Sequence, residues 1–130
     1  MSRTGYSRVL LKVSGEALAG DQSYGIEPEF LNSIARQIVD LTRSGMQVAI
    51  VIGGGNIFRG MAVAARGGDR VIGDHMGMLG TVINSLALGD AIRRAGGRSH
   101  VFSSVSMPSI CDTFTQRAAI AALEGGATVI

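Results

Sequence analysis

The stretch AIVIGGGNIFRG, residues 49–60, decides the fold. An apolar run without alternation ends in three glycines, followed by an asparagine, two large apolar residues and an arginine. Continuous apolar runs of this kind belong to strands covered on both faces, as in parallel sheets. Three glycines in a row lose much conformational freedom on folding, so something must approach the backbone closely at Gly53, Gly54 and Gly55. A phosphate would do so, because backbone N–H groups reach an anion where no Cβ intervenes. A tight strand-to-helix turn accounts for the same glycines.

On either side of this stretch, strand and helix patterns alternate. RVLLKVS, residues 8–14, is a short apolar run closed by Gly15 and reads as a buried strand. Pro28, flanked by Glu27 and Glu29, suits a first helical turn. Phe30, Leu31, Ile34, Ile38 and Leu41 then recur at helical spacing up to Gly45. MQVAIVI, residues 46–52, is the second strand. A long helix is predicted from about Arg70 to Arg94, then a strand in SHVFSSV, a helix in FTQRAAIAALEGG and a strand in ATVI. The alternation predicts a three-layer α/β/α fold around a mainly parallel sheet. The sequence stops at Ile130 within an apolar run, from which we expect residues 1–130 to be one part of a larger fold.

Composition narrows the function. The chain has 130 residues, is 46% apolar and carries a formal net charge of +2. No basic cluster is interleaved with aromatics, which argues against nucleic-acid and membrane-surface binding. Arg3, Arg8, VLL and Ala17-Leu18-Ala19 imitate a secretory signal, but the apolar run is short and Lys12 interrupts it. The single cysteine, Cys111, excludes an internal disulfide, suits a reducing cytoplasm and reads as a small buried hydrophobe. No Ser-His-Asp arrangement, zinc-site spacing or paired carboxylates are evident.

The cations are more informative. Every basic residue is arginine except Lys12. Lys12 stands at the end of the first strand, and the glycine loop stands at the end of the second. Ligands in open parallel sheets sit beyond the carboxyl ends of strands. A compact ammonium suits a point contact on transferring phosphoryl oxygens, and Arg59, four residues beyond Gly55, is placed to clamp phosphate. Neither stretch fits the Walker or G-x-G-x-x-G spacing. On the long helix, Ile72, Met76, Leu79, Ile83 and Leu86 form an apolar stripe. Gly73, Gly77, Gly80 and Asn84 form a second stripe, which implies close approach by another element or subunit. Asp74 lies on a third face, placed by this reading in the first helical turn. It serves either the helix dipole or a sugar hydroxyl. His75 is given no role.

Taken together, LLKVSGEAL, GIEPEFL, VIGGGNIFRG and GDHMGMLGTVINSLAL, in this order, closely resemble the bacterial uridylate (UMP) kinase family, of the amino-acid kinase fold. The resemblance covers essentially the whole chain and implies transfer of the ATP γ-phosphate to UMP with Mg²⁺. It implies that Lys12, Val13, Ser14, Gly15, Gly55 and Arg59 contact ATP, with Lys12 and Arg59 catalytic. It also implies that Gly54 and Asp74 contact UMP, and that no protein residue is a metal ligand. Gly20, Asp21, Gln22, Ser23, Tyr24 and Gly25 match a GTP-activation region. The resemblance further implies UTP inhibition and a homohexamer. Family chains are nearly twice this length, so residues 1–130 correspond to the acceptor-side half, without the half that holds adenine. Other kinases of the same fold, acting on carbamate, acetylglutamate or isopentenyl phosphate, are the rival reading. A non-catalytic nucleotide-binding or assembly module is another.

Overall fold

The computed structural model describes residues 5–58 and 66–130. Strand β1 (Arg8–Val13) leads through the single turn α1 (Gly15–Leu18) to helix α2 (Pro28–Arg43) and strand β2 (Gln47–Ile52). Helix α3 (Arg70–Arg94), strands β3 (Ser99–His100), β4 (Phe102–Ser103) and β5 (Asp112–Thr113), helix α4 (Gln116–Glu124) and strand β6 (Thr128–Val129) complete the order. Four strands form one parallel sheet in the order β1-β2-β6-β3.

Local chemistry sets the helix limits. At α2, the Glu27 side chain accepts hydrogen bonds from the N–H groups of Glu29 and Phe30, and Pro28 needs no donor partner there. Its end is Gly45, whose φ of +95° is costly for any other residue. At α3 the cap is Asp69, accepting from the N–H groups of Val71 (2.8 Å) and Ile72 (3.3 Å). Asp69→Ala is expected to destabilise the fold by about 1 kcal/mol, read as a lowered midpoint in urea denaturation.

Side-chain alternation along β2 places the layers. Val48, Ile50 and Ile52 face the main core with Leu31, Ile38 and Val39 of α2 and Leu88 and Ile92 of α3. Ala49 faces the other way, toward Ala119 and Leu123 of α4 and Val129 of β6. Helices thus lie on both sides of a parallel sheet, as the sequence predicted. Cys111 is buried in the main core, as a small hydrophobe. The described helices include none long and apolar enough to cross a membrane.

One sequence reading needs correction. β1 is not buried: it is an edge of the described sheet, and Leu10 on its second face is 68% exposed beside Val51, 52% exposed. Helix α4 covers only the β2–β6 side of that face, so the apolar run marks a surface the described residues do not cover. The strand expected in SHVFSSV runs through residues 99–103 and has a partner on each edge. Ser99 and His100 pair with β6, and the Phe102 N–H reaches the last carbonyl, that of Ile130, at 2.8 Å. On the opposite edge β4 pairs with β5, the Val101 and Ser103 carbonyls accepting from the Asp112 and Phe114 N–H groups at 3.1 and 2.8 Å.

Candidate active site

The turn after β1 and the loop after β2 lie side by side because their parent strands pair in register, Lys12 opposite Val51 and Val13 opposite Ile52. The Gly53 N–H continues that ladder, donating to the Val13 carbonyl at 2.9 Å. Ser14 caps α1, its hydroxyl accepting from the Ala17 N–H at 3.3 Å. Gly15 is then forced against the loop. A Cβ there would lie 2.6 Å from Gly55 N, 2.7 Å from Asn56 Oδ1 and 2.9 Å from the Gly53 carbonyl oxygen. The Glu16 carboxylate lies over Gly55 so closely that a Cβ on Gly55 would overlap it.

Gly54 faces the other way, onto α3. A Cβ on it would sit 2.8 Å from Thr81 N, 2.9 Å from the Gly77 carbonyl oxygen and 3.0 Å from the Gly80 carbonyl carbon. Backbone of this same chain therefore approaches Gly54 and the Gly15–Gly55 junction. The glycine stripe of α3 is the inward face: Gly73, Gly80 and Asn84 are buried, and Gly80 packs beside Ile57. Gly77 differs. Among the described residues its missing Cβ would meet nothing within 4 Å, so their packing does not require a glycine there. The apolar stripe predicted on α3 points outward, with Ile72, Met76, Leu79, Ile83 and Leu86 all exposed.

Two asparagines close the junction. Asn84 Nδ2 donates to the Gly53 carbonyl (2.7 Å) and to Asn56 Oδ1 (2.6 Å). Asn56 Nδ2 donates in return to Asn84 Oδ1 (3.2 Å) and also to the Gly25 carbonyl (2.8 Å). The Gly25 N–H donates back to the Asn56 carbonyl at 2.9 Å. Sequence reasoning gave Asn56 no role and saw Asn84 only as a member of the small-residue stripe. The available signal was an asparagine on the buried face of a helix interior, where an amide needs partners.

The other predicted residues fall into three groups. Lys12 is exposed on the edge strand, and no ion pair holds it among the described residues, a setting in which a solvated lysine is also ordinary. Asp74 is not in the first turn of α3. Asp69 holds the cap, and Asp74 lies one turn further in, bonded to Arg70 Nε at 3.1 Å with both side chains more than half exposed. Such a pair contributes little stability. It leaves Asp74 one residue short of a full turn from Gly77, roughly 4.5 Å along the axis. Asp21, Gln22, Ser23 and Tyr24 form an exposed loop between Gly20 and Gly25, anchored at Gly25 to Asn56. Arg59 lies outside the described residues.

A separate groove of about 480 Å³ runs along the second face of the sheet. Leu10, Val51, Phe102, Phe114 and Val129 line it, with Thr81 and Ser85 of α3 at one side. It contains neither Lys12 nor the glycine loop. The described residues include no cluster of three His, Cys, Asp or Glu side chains able to hold a metal ion.

Comparison with known proteins places this geometry. The chain is 56% identical over 125 residues to a uridylate kinase of Bartonella bacilliformis, covering 96% of this chain and 52% of that protein. It is 52% identical over 130 residues to a uridylate kinase of Xanthomonas axonopodis pv. citri, covering all of this chain and 54% of that protein. The chain thus spans about half the length of these relatives. The crystal structure of UMP kinase from Bacillus anthracis superposes with a TM-score of 0.89 at 38% identity, over 96% of this chain and 52% of that one. The amino acid kinase family pattern matches residues 7–130, a span that holds both loops and α3, and the chain belongs to the amino acid kinase family.

Proposed function

We propose that this chain is the acceptor-side half of a UMP kinase, in which an oxygen of the UMP phosphate attacks the γ-phosphorus of ATP. The bond between that phosphorus and the oxygen bridging to the β-phosphate breaks, and UDP and ADP leave. The acceptor oxygen is already anionic near neutral pH, so positioning and charge stabilisation suffice and no general base is required. One observation carries the reading: the β1–α1 turn with its lysine strand meets the β2 glycine loop, and that loop is seated on the helix that bears Asp74.

In this reading the donor phosphates lie along Lys12, Val13, Ser14, Gly15 and Gly55, with the Lys12 ammonium reaching the transferred group. UMP lies by Gly54 and Asp74, where no described residue would meet a Cβ on Gly77 within 4 Å. Arg59 would clamp phosphate where the two nucleotides meet. Mg²⁺ would accompany ATP, neutralising phosphate charge while held chiefly by phosphate oxygens and water, a mode that needs no dedicated protein cage. The exposed segment Gly20–Gly25 would take GTP as an activator, and UTP would inhibit. The outward apolar stripe of α3 supports assembly of a homo-oligomer, a hexamer by family resemblance. A cytoplasmic role in pyrimidine nucleotide biosynthesis fits this chemistry.

The test is coupled ADP release offered UMP, CMP, carbamate, acetylglutamate or isopentenyl phosphate, on this chain and on the chain joined to the half its relatives add. UMP-dependent release is expected; turnover of one of the acids but not of UMP would refute the proposal. Calorimetry on the chain alone distinguishes a nucleotide-binding module, which would bind UMP tightly without turnover in either form. Asp74→Asn is expected to raise the KM for UMP about tenfold with kcat little changed, because a neutral amide accepts ribose hydroxyl bonds more weakly than a carboxylate. A change confined to ATP would put Asp74 on the other substrate.

A further inference from the structure

We propose that the reciprocal Asn56–Asn84 amide pair is a positioning device that holds the glycine loop on α3 and couples that loop to the segment Gly20–Gly25. The pair is almost wholly removed from water, Asn56 being 2% and Asn84 0% exposed. Each amide uses both of its donor hydrogens and one acceptor, and their four bonds reach three separate pieces of chain. The amide orientations are determined by these partners. Turning Asn84 over would set its oxygen against the Gly53 carbonyl, and turning Asn56 over would set its oxygen against the Gly25 carbonyl.

A buried amide pair is a costly way to fill space unless fully bonded, and fully bonded it specifies one geometry. Here that geometry is the height of Gly53 and Gly54 above α3. Sterics alone set only a lower limit on that height, since Gly54 cannot come closer to Thr81 N; the bond from Asn84 to the Gly53 carbonyl supplies the pull. Asn56 extends the same constraint outward through two bonds to Gly25, one from its side chain and one to its backbone carbonyl. A displacement of Gly20–Gly25 therefore shifts Asn56, and with it the floor of the site. The consequence for phosphoryl transfer rests on the proposed function; the mechanical coupling does not.

The test is hydrogen–deuterium exchange on this chain without nucleotide, comparing wild type with Asn84→Ser. A serine at residue 84 is suited to its helix, because its hydroxyl can turn back to the carbonyl four residues earlier, as the Ser85 hydroxyl does to Thr81 at 2.7 Å. Both ties from α3 to the loop are lost. Exchange at Gly53, Ile57 and Phe58 is expected to rise about tenfold or more. Exchange at Gly25 and Glu27, to which the Asn84 side chain makes no hydrogen bond, is expected to rise with them, while residues 31–41 of α2 stay within about twofold of wild type.

An equal rise everywhere would reduce the pair to general stability and overturn the proposal. A rise at residues 53–58 with residues 20–27 unchanged would overturn the coupling, as would no change in either. Asn56→Ala approaches from the other partner and is expected to free the same two segments. The double variant should exchange no faster than the faster single one, whereas additive opening would mean the residues act separately. If wild type binds no UMP while this exchange pattern holds, the nucleotide reading falls and the coupling stands. Tight UMP binding without the pattern removes the coupling alone.

Discussion

Gly54→Ala is expected to destabilise the protein by about 2 kcal/mol, lowering the melting temperature by roughly 6–10 °C. The added Cβ would meet Thr81 N, the Gly77 carbonyl oxygen and the Gly80 carbonyl carbon at 2.8–3.0 Å, and all three belong to helix backbone. A flexible side chain could swing aside, but α3 is held along its length by its own hydrogen bonds and by packing against α2. The loop must rise instead, which stretches the bond from Asn84 to the Gly53 carbonyl. Gly77→Ala is the matched control. Its Cβ would meet nothing within 4 Å among the described residues, so replacing a helix-interior glycine with alanine should stabilise by about 0.5–1 kcal/mol. Thermal melts of the two variants should move in opposite directions. A stable Gly54→Ala would show that the glycine loop is not packed on α3 as described. UMP calorimetry on Gly77→Ala adds a functional reading, since weaker binding in a more stable protein would place the nucleotide beside that position.

Lys12→Ala is expected to lower kcat for UMP phosphorylation by at least about 100-fold, equivalent to roughly 2.7 kcal/mol of transition-state stabilisation. The measurement belongs in whichever polypeptide carries the activity, this chain or the chain joined to its second half. Lys12→Arg should recover little of that loss. A guanidinium keeps the charge but spreads it over a planar fork too broad for the point contact made by an ammonium. Because Lys12 is exposed and unpaired among the described residues, both variants should melt within about 0.5 kcal/mol of wild type. Unimpaired turnover in Lys12→Arg would return Lys12 to the status of an ordinary edge-strand lysine.

Much of the architecture was legible in the residues. Apolar runs at 46–52 and 127–130, the Pro28 helix start and the glycine stops are all local signals, and each sits where local sterics and capping operate. The family match follows from those same stretches. The strand in SHVFSSV was legible too, but its neighbours, β6 on one edge and β5 on the other, are not a local property. β1 reads as buried from its apolar run and is not, because hydrophobicity reports what a segment can be packed against, not whether the described residues supply it.

The site divides along the same line. Sequence by itself determined the ingredients: a lone lysine at one strand end, three glycines at the next, an acidic residue on a glycine-striped helix, and the α/β order that brings strand ends together. Tertiary structure alone decided what the glycines touch. Gly54 rests on α3, Gly15 on the loop, and Asn84 faces inward to meet Asn56 while the apolar stripe of its own helix turns outward. The physical reason is range. Propensity, capping and periodicity act over a few residues, whereas the contact of Asn56 with Asn84 spans 28 positions and exists only once the sheet and helix have packed.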